Sequence, residues 1–426
     1  MKKNSAKWGI TLLSTVIILA ACHSESVETG NTEALESLQP QKLHITMDEA
    51  EQNLNKIIME MKLNNTRGAQ NRDFTVTSRY STDMGKTRAD GDSVPAVYVF
   101  NFGNKEGFAI MSSDIREPDL YELSFSGELK IDSVIDDPFD RIFVSALKLR
   151  SDSLGGFPID DDDDLGDPIN FFVVYTPWET TNKVYEDGTT ELCKVKWDQG
   201  SPYNGMLDTY NGENIPTGCA ATAVGQLMSV YKYPDIYPPF VLDWDNIVSY
   251  QTMTNNTPFW PLYEVQSLMK YLGMYYNLDL DYDAANNQNT LHNINNITRT
   301  LSNFGYSNPG TIANYQTSTI VAELNSGYPV LISGKDDPSI GGHIWLGHGL
   351  QTKSRKKIIY DGTTLQPVRI INQAKYYILC NMGYGGSSDK LYLSGIFDTR
   401  IPFEIEIGSN VGNYQYDLKM ITGIRE

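Results

Sequence analysis

The sequence predicts an α+β chain in two parts, on three observations. A helix-period run followed by two strand-like runs fills the first part; an apolar helix opens at Cys219; and the C-terminal region is a series of β-rich runs divided by turns. Between the parts lies an acidic stretch holding glycines and prolines, which reads as a linker. With 426 residues, 40% of them hydrophobic and 11% aromatic, the chain has apolar material for a large core and two domains.

Taken in order, residues 1–21 read as a targeting segment. Lys2, Lys3 and Lys7 precede an apolar stretch from Ile10 to Ala21 that is too short to span a bilayer. It ends in Leu19-Ala20-Ala21-Cys22, which resembles the bacterial lipobox, where the cysteine thiol receives a diacylglycerol. The alternative is an ordinary cleaved signal with Cys22 incidental. On the lipoprotein reading Cys22 is the lipidation site, and the exported protein is anchored to the cell envelope, at the outer membrane or cell surface. Residues 22–41 are polar and read as a flexible tether.

Residues 42–150 form the expected small α+β domain. Thr46 and Glu49 fit a capping box, and Ala50, Leu54, Ile57, Ile58 and Met61 then share one helix face. Val94 to Phe102 and Phe108 to Ser112 read as strands joined by a turn over Gly103 to Gly107. Residues 151–170, with the run Asp160 to Asp164, form the acidic linker, and residues 171–426 the second domain. Within the latter, Lys356 to Tyr360, Pro367 to Ile371 and Lys375 to Leu379 read as strands separated by turns.

The charge excludes one class of partner. Against 34 Lys and Arg stand 53 Asp and Glu, a formal charge of -19 that repels a phosphate backbone, so no nucleic acid is expected. His, Cys and carboxylates do not cluster at ligand spacing, so no metal or cofactor is implied. After Cys22 only Cys193, Cys219 and Cys380 remain, an odd number in a chain that leaves the cytoplasm. Cys193 and Cys380 read as small buried apolar residues, with a bridge between them left open.

Chemistry concentrates around Cys219. No charged residue appears from Asn214 to Tyr231, and Ala221, Val224, Met228 and Tyr231 share a stripe, so Cys219 stands in the first turn of a buried helix. The orphan N–H groups and the positive dipole end there favour a thiolate, while Gly218 leaves the sulfur approachable. Taken alone, a buried structural cysteine is the better reading. Of the five histidines, His23 lies on the tether, His44 precedes the first domain and His292 sits in an Asn-rich stretch, which leaves His343 and His348. They are five residues apart on an expected strand and so face opposite ways, so at most one readily joins the site. Asn381, after a β-rich run and before Gly383, Gly385 and Gly386, is either a turn residue or an amide that orients a histidine. Gln199 is either a surface residue or a donor to an oxyanion beside the Cys219 backbone N–H.

The succession Trp197-Asp198-Gln199-Gly200-Ser201-Pro202-Tyr203-Asn204, Gly218-Cys219-Ala220-Ala221-Thr222-Ala223, Tyr233-Pro234, Asp243-Trp244-Asp245, Gly342-His343 and Asn381-Met382-Gly383-Tyr384-Gly385-Gly386 resembles the streptopain family of bacterial papain-like cysteine peptidases. Tyr98 to Asp114 is similar to the inhibitory pro-domain of that family. The resemblance implies a papain-like fold, a helical half against an antiparallel sheet with the site between them. It also implies Cys219 as nucleophile, His343 as general base and acid, Asn381 as orienter and Gln199 in the oxyanion hole. The chain departs from the family at Met382, where Trp is usual, and at His348-Gly349, where Asp-Gly is usual.

The expected function is therefore that of a secreted, lipid-anchored cysteine endopeptidase made as a zymogen. Its expected partners are protein or peptide substrates, its own pro-domain as intramolecular inhibitor, and the membrane through the lipid. An acyl hydrolase or transferase acting on cell-wall peptides is the alternative on the same fold. A non-catalytic adhesin or inhibitor is the alternative from another class.

Overall fold

The computed structural model describes residues 42–63, 74–82, 97–131, 133–153, 171–238, 240–282, 290–335, 342–397 and 418–426. The targeting segment, Cys22, the tether and most of the acidic linker lie outside them.

The first described helix, α1 (Met47–Leu63), starts where the capping box places it. The Thr46 backbone N–H donates to Glu49 Oε2 at 2.7 Å, and the Glu49 N–H donates to Thr46 Oγ1 at 3.3 Å. Its buried face is Ala50, Leu54, Ile57, Ile58 and Met61. Strands β1 (Val76–Thr82), β2 (Val97–Phe102), β3 (Phe108–Ser112) and β4 (Leu120–Ser124) form an antiparallel meander in which every residue of β2, β3 and β4 is buried. Helix α2 (Pro138–Ser153) follows, opened by Asp137, whose Oδ1 accepts the N–H groups of Phe139 at 2.9 Å and Asp140 at 3.1 Å.

Beyond the linker, β5 (Phe171–Tyr175) and β6 (Glu179–Asn182) lead to α3 (Cys219–Tyr231), α4 (Trp244–Ser249), α5 (Phe259–Gly273) and α6 (Asn295–Asn303). Then come β7 (Asn308–Asn314), α7 (Thr317–Asn325), β8 (Val330–Gly334), β9 (His343–Asp361), β10 (Pro367–Asn381), β11 (Lys390–Leu393) and β12 (Lys419–Arg425). All twelve labelled strands share one sheet in the order β1-β2-β3-β4-β11-β10-β9-β8-β12-β7, with β5 and β6 also paired to β9. The class is the expected α+β one, helices against an antiparallel sheet.

Two elements differ from expectation. The runs at Pro367 to Ile371 and Lys375 to Leu379 merge into the 15-residue strand β10, since no glycine or further proline interrupts the chain between Val368 and Asn381. And residues 42–150 do not carry a separate sheet, because β4 pairs with β11 at Lys390↔Ser124, Leu391↔Leu123 and Tyr392↔Glu122.

Strand β9 divides two cores. Ile344 and Leu346 pack with the apolar stripe of α3 and with α5 and α6, whereas Trp345 packs with α1, α2 and the β2–β4 meander. The first residue of that strand is His343, which is thereby set beside the start of α3.

Candidate active site

Helix α3 starts abruptly at Cys219. Gly218, just before it, has φ 82, a left-handed backbone that an L side chain rarely adopts. Thr222 closes the turn by donating to the Gly218 carbonyl at 3.1 Å and by sharing a hydrogen bond with the Thr217 hydroxyl at 2.8 Å. Cys219 is half-buried; Cys193 and Cys380 are buried, and all three thiols are free, so the open pairing of Cys193 with Cys380 does not form.

Burial pushes the Cys219 thiol up, against the pull of three backbone N–H groups, those of Ile344, Ala220 and Cys219 itself. The expectation that the helix end eases ionisation is thus outweighed here by loss of water. The Ile344 contact is informative, because it puts the backbone next to His343 directly on the sulfur.

His343 is 3% exposed. Its ring lies between two aromatic planes, Tyr384 at 5.3 Å and 7° and Trp345 at 6.1 Å and 15°. Nε2 is 3.1 Å from the Met382 carbonyl oxygen, an acceptor only, so the neutral ring donates from Nε2 and keeps Nδ1 as its basic nitrogen. Burial lowers the imidazole pKa to about 4, with Lys390 adding to the fall and Asp137 and the Met382 carbonyl opposing it. No hydrogen bond or ion pair links His343 to Cys219 in this arrangement, and both groups are held uncharged at neutral pH.

Gln199 stands beside the nucleophile. Its carbonyl accepts the Thr217 N–H at 2.8 Å; Asp198 forms a β-bridge with Tyr384, and the Gly385 N–H donates to the Trp197 carbonyl at 3.0 Å. Burial raises the Tyr384 phenol to about 12; the Cys219 sulfur adds to the rise and the Gln199 side chain draws it back. Gln199 and Cys219 are therefore both near the Tyr384 phenol.

Asn381 is placed otherwise than expected. Its Nδ2 donates to the Val195 carbonyl at 2.8 Å, and its Oδ1 accepts from Gln226 Nε2 at 2.9 Å and from the Gly383 N–H at 3.1 Å. In this conformation the acceptor for the histidine is the neighbouring carbonyl of Met382. Gln226 escaped the sequence reading; its signal is a large amide on a charge-free apolar helix. Replacing Asn381 with Ala leaves the Gln226 amide only its longer bond to the Trp197 carbonyl at 3.4 Å, strands the Gly383 N–H and takes the amide donor from the Val195 carbonyl, and is expected to cost about 3 kcal/mol of stability. Urea unfolding of the precursor in a Cys219→Ala background measures it, and an unchanged midpoint would refute the clamp.

His348 is buried, and its carbonyl accepts the Leu192 N–H at 2.8 Å. A bulge between Gly347 and Gly349 interrupts the alternation of β9, so parity alone does not assign its face. His348→Ala is expected to keep most peptidase activity; an inactive His348→Ala beside an active His343→Ala would identify the wrong base. Of the other described histidines, His44 is bridged to Asp114 and His292 lies exposed near Asp281.

Comparison with known proteins bears on this site directly. Residues 197–392, from Trp197 just before Gln199 to Tyr392 in β11, match the model of the peptidase C10 family. This segment, a little under half of the chain, is what resembles that family. A similar curated protein is the thiol protease/hemagglutinin PrtT of Porphyromonas gingivalis, 27% identical over 145 residues, which are 32% of this chain and 15% of that protein. Among solved structures, a mutant fragment of Prevotella intermedia prointerpain A aligns with TM-score 0.47 and 18% identity, over 82% of this chain and 99% of that one. Active interpain A of the same organism aligns with TM-score 0.37 and 19% identity, over 56% and 95%. Within the C10 segment fall Gln199, Cys219, Gln226, His343, Asn381, Met382 and Tyr384.

Proposed function

We propose that the chain is a thiol endopeptidase made as a latent precursor, with Cys219 as nucleophile and His343 as its base. The observation that carries this is the seat of Cys219: a thiol heading an apolar helix, with the Ile344 N–H on its sulfur and His343 next in the chain. In the acting enzyme His343 takes the thiol proton on Nδ1, the thiolate attacks the peptide carbonyl, and the imidazolium returns the proton to the leaving amine. Water then attacks the acyl-enzyme with His343 as base. The Gln199 side chain and the Cys219 backbone N–H donate to the developing oxyanion. Asn381 orients the base through the turn that its amide holds, whose Met382 carbonyl fixes the Nε2 proton.

Latency is supported by the uncharged pair and by what lies on it. Phe139 of α2 packs edge-on against Trp345 at 5.3 Å and 89°, and Trp345 stacks on His343. Residues 42–150 thus reach the neighbours of the base as well as strand β11, in keeping with an inhibitory pro-domain. Activation then cuts between Ser151 and Thr190, where part of the chain is acidic and without periodic apolar residues. Export and acylation of Cys22 complete the proposal, giving an envelope-anchored precursor able to release its peptidase. Purified full-length chain, incubated with casein with and without iodoacetamide, tests the function. Hydrolysis that iodoacetamide stops, together with a new N-terminus between residues 151 and 190, is expected; casein left intact by cut and uncut chain alike would refute it.

A further inference from the structure

The second core holds ionisable groups that the peptidase chemistry does not use. Lys390, on β11, is buried with its ammonium 2.6 Å from Asp140 Oδ1, 3.7 Å from Asp137 Oδ2 and 3.8 Å from Glu122 Oε1. Asp137 and Asp140 come from the start of α2 and Glu122 from β4, so one peptidase cation meets three carboxyls of the preceding segment. The walls are the rings of Phe108 and Phe139, 5.4 and 5.6 Å from the ammonium, and the Ser124 hydroxyl, 3.4 Å away. From β9 the site is faced by neutral His343, and from β10 by the un-ionised Cys380 thiol.

Three carboxylates around one ammonium would leave two uncompensated negative charges in an apolar setting, which is costly. Neither oxygen of Glu122 has a hydrogen-bond partner, while its carboxyl lies against that of Asp140. A single proton between the two removes one of those charges and gives Glu122 a hydrogen-bond partner. We infer that Lys390, Glu122, Asp137 and Asp140 form a proton-linked latch, which keeps residues 42–153 docked on β11 while Glu122 and Asp140 share a proton and loosens once rising pH removes it. The inference rests on the proposed inhibitory role of that segment.

Burial sets the direction. It lifts Glu122 well above the usual carboxylate range, with Asp140 and Asp137 adding and Lys390 opposing, and it lifts Asp140 to about 6, with Asp137 adding and Lys390 and the hydrogen bond to Glu122 opposing. Lys390, which burial alone would depress, is held above the usual lysine value by Asp140, Asp137 and Glu122 and stays an ammonium. Carboxyls whose pKa is higher docked than released take up protons on docking. The latch is therefore strongest below about pH 4, where both states are protonated, and weakens as pH rises through about 6.

Hydrogen exchange of the full-length Cys219→Ala precursor tests this without any activity. Between pH 6 and 8, protection of residues 390–393, corrected for the intrinsic exchange rate, is expected to fall by up to about tenfold per pH unit, the slope for one proton. Glu122→Gln and Asp140→Asn should each flatten that slope. A protection factor independent of pH in the parent, an unaltered slope in both variants, or an equal fall throughout α3 would overturn the latch. Whether the segment inhibits is decided separately, by the activity of cut and uncut wild-type chain.

Discussion

Cys219→Ala is expected to lower casein hydrolysis by at least about a thousandfold, because a nucleophile acts as a unit with its base and cannot be replaced by a methyl group. The precursor carrying it should persist as one band, since self-cleavage requires the same thiol. Stability should change by no more than about 1 kcal/mol, as the residue is half-buried overall and the change removes a single atom. Measured on the same preparations, hydrolysis and thermal unfolding separate loss of chemistry from loss of fold. Substantial hydrolysis by a well-folded Cys219→Ala protein would place the nucleophile elsewhere.

The second large effect is on thiol reactivity. In the precursor, burial holds the Cys219 thiol above its usual range and His343 near pKa 4, so at pH 7 the sulfur is protonated and the imidazole neutral. Alkylation by iodoacetamide should therefore be slow at pH 7 and climb across the alkaline range. The sign follows from burial: it disfavours the anion of a thiol and the cation of an imidazole, so both shifts oppose an ion pair. Once residues 42–150 are gone and the pair can form, the thiolate should exist well below pH 7. An unperturbed thiol is only a few per cent ionised there, so the rate at pH 6 to 7 should rise roughly tenfold to a hundredfold, less than the gain in thiolate because a less basic sulfur is a weaker nucleophile. Equal alkylation rates and pH profiles before and after cutting would contradict a latent pair.

Much of the architecture was legible from local pattern. Thr46 with Glu49 and the apolar spacing from Ala50 to Met61 announced α1, and the charge-free stretch from Asn214 to Tyr231 announced α3 with Cys219 at its head. The β-rich C-terminal runs were legible as strands, but not the fusion of two of them into β10, because only glycine and proline mark a strand end in sequence. Nor was the pairing of Ser124 with Lys390, since register between segments so distant depends on the whole sheet. Around the site, Gln199, Cys219 and His343 were picked out by residue type. The Met382 carbonyl was not, because a backbone acceptor leaves no trace in side-chain chemistry. Asn381 was singled out for its amide, yet that amide is taken up by Val195, Gln226 and Gly383, contacts that arise only when α3 packs on the end of β10. The helix-end argument for a thiolate was sound as electrostatics, but burial was invisible to it.

One measurement reaches the central claim most directly: mapping a thiol-directed epoxide by peptide mass on the full-length chain and on the cut peptidase, alongside casein hydrolysis. Label confined to Cys219, appearing with cleavage between residues 151 and 190 and stopping hydrolysis in proportion, is the result expected of a latent thiol peptidase. Hydrolysis that persists with Cys219 fully labelled, or intact precursor labelled as fast as the cut enzyme, would contradict it.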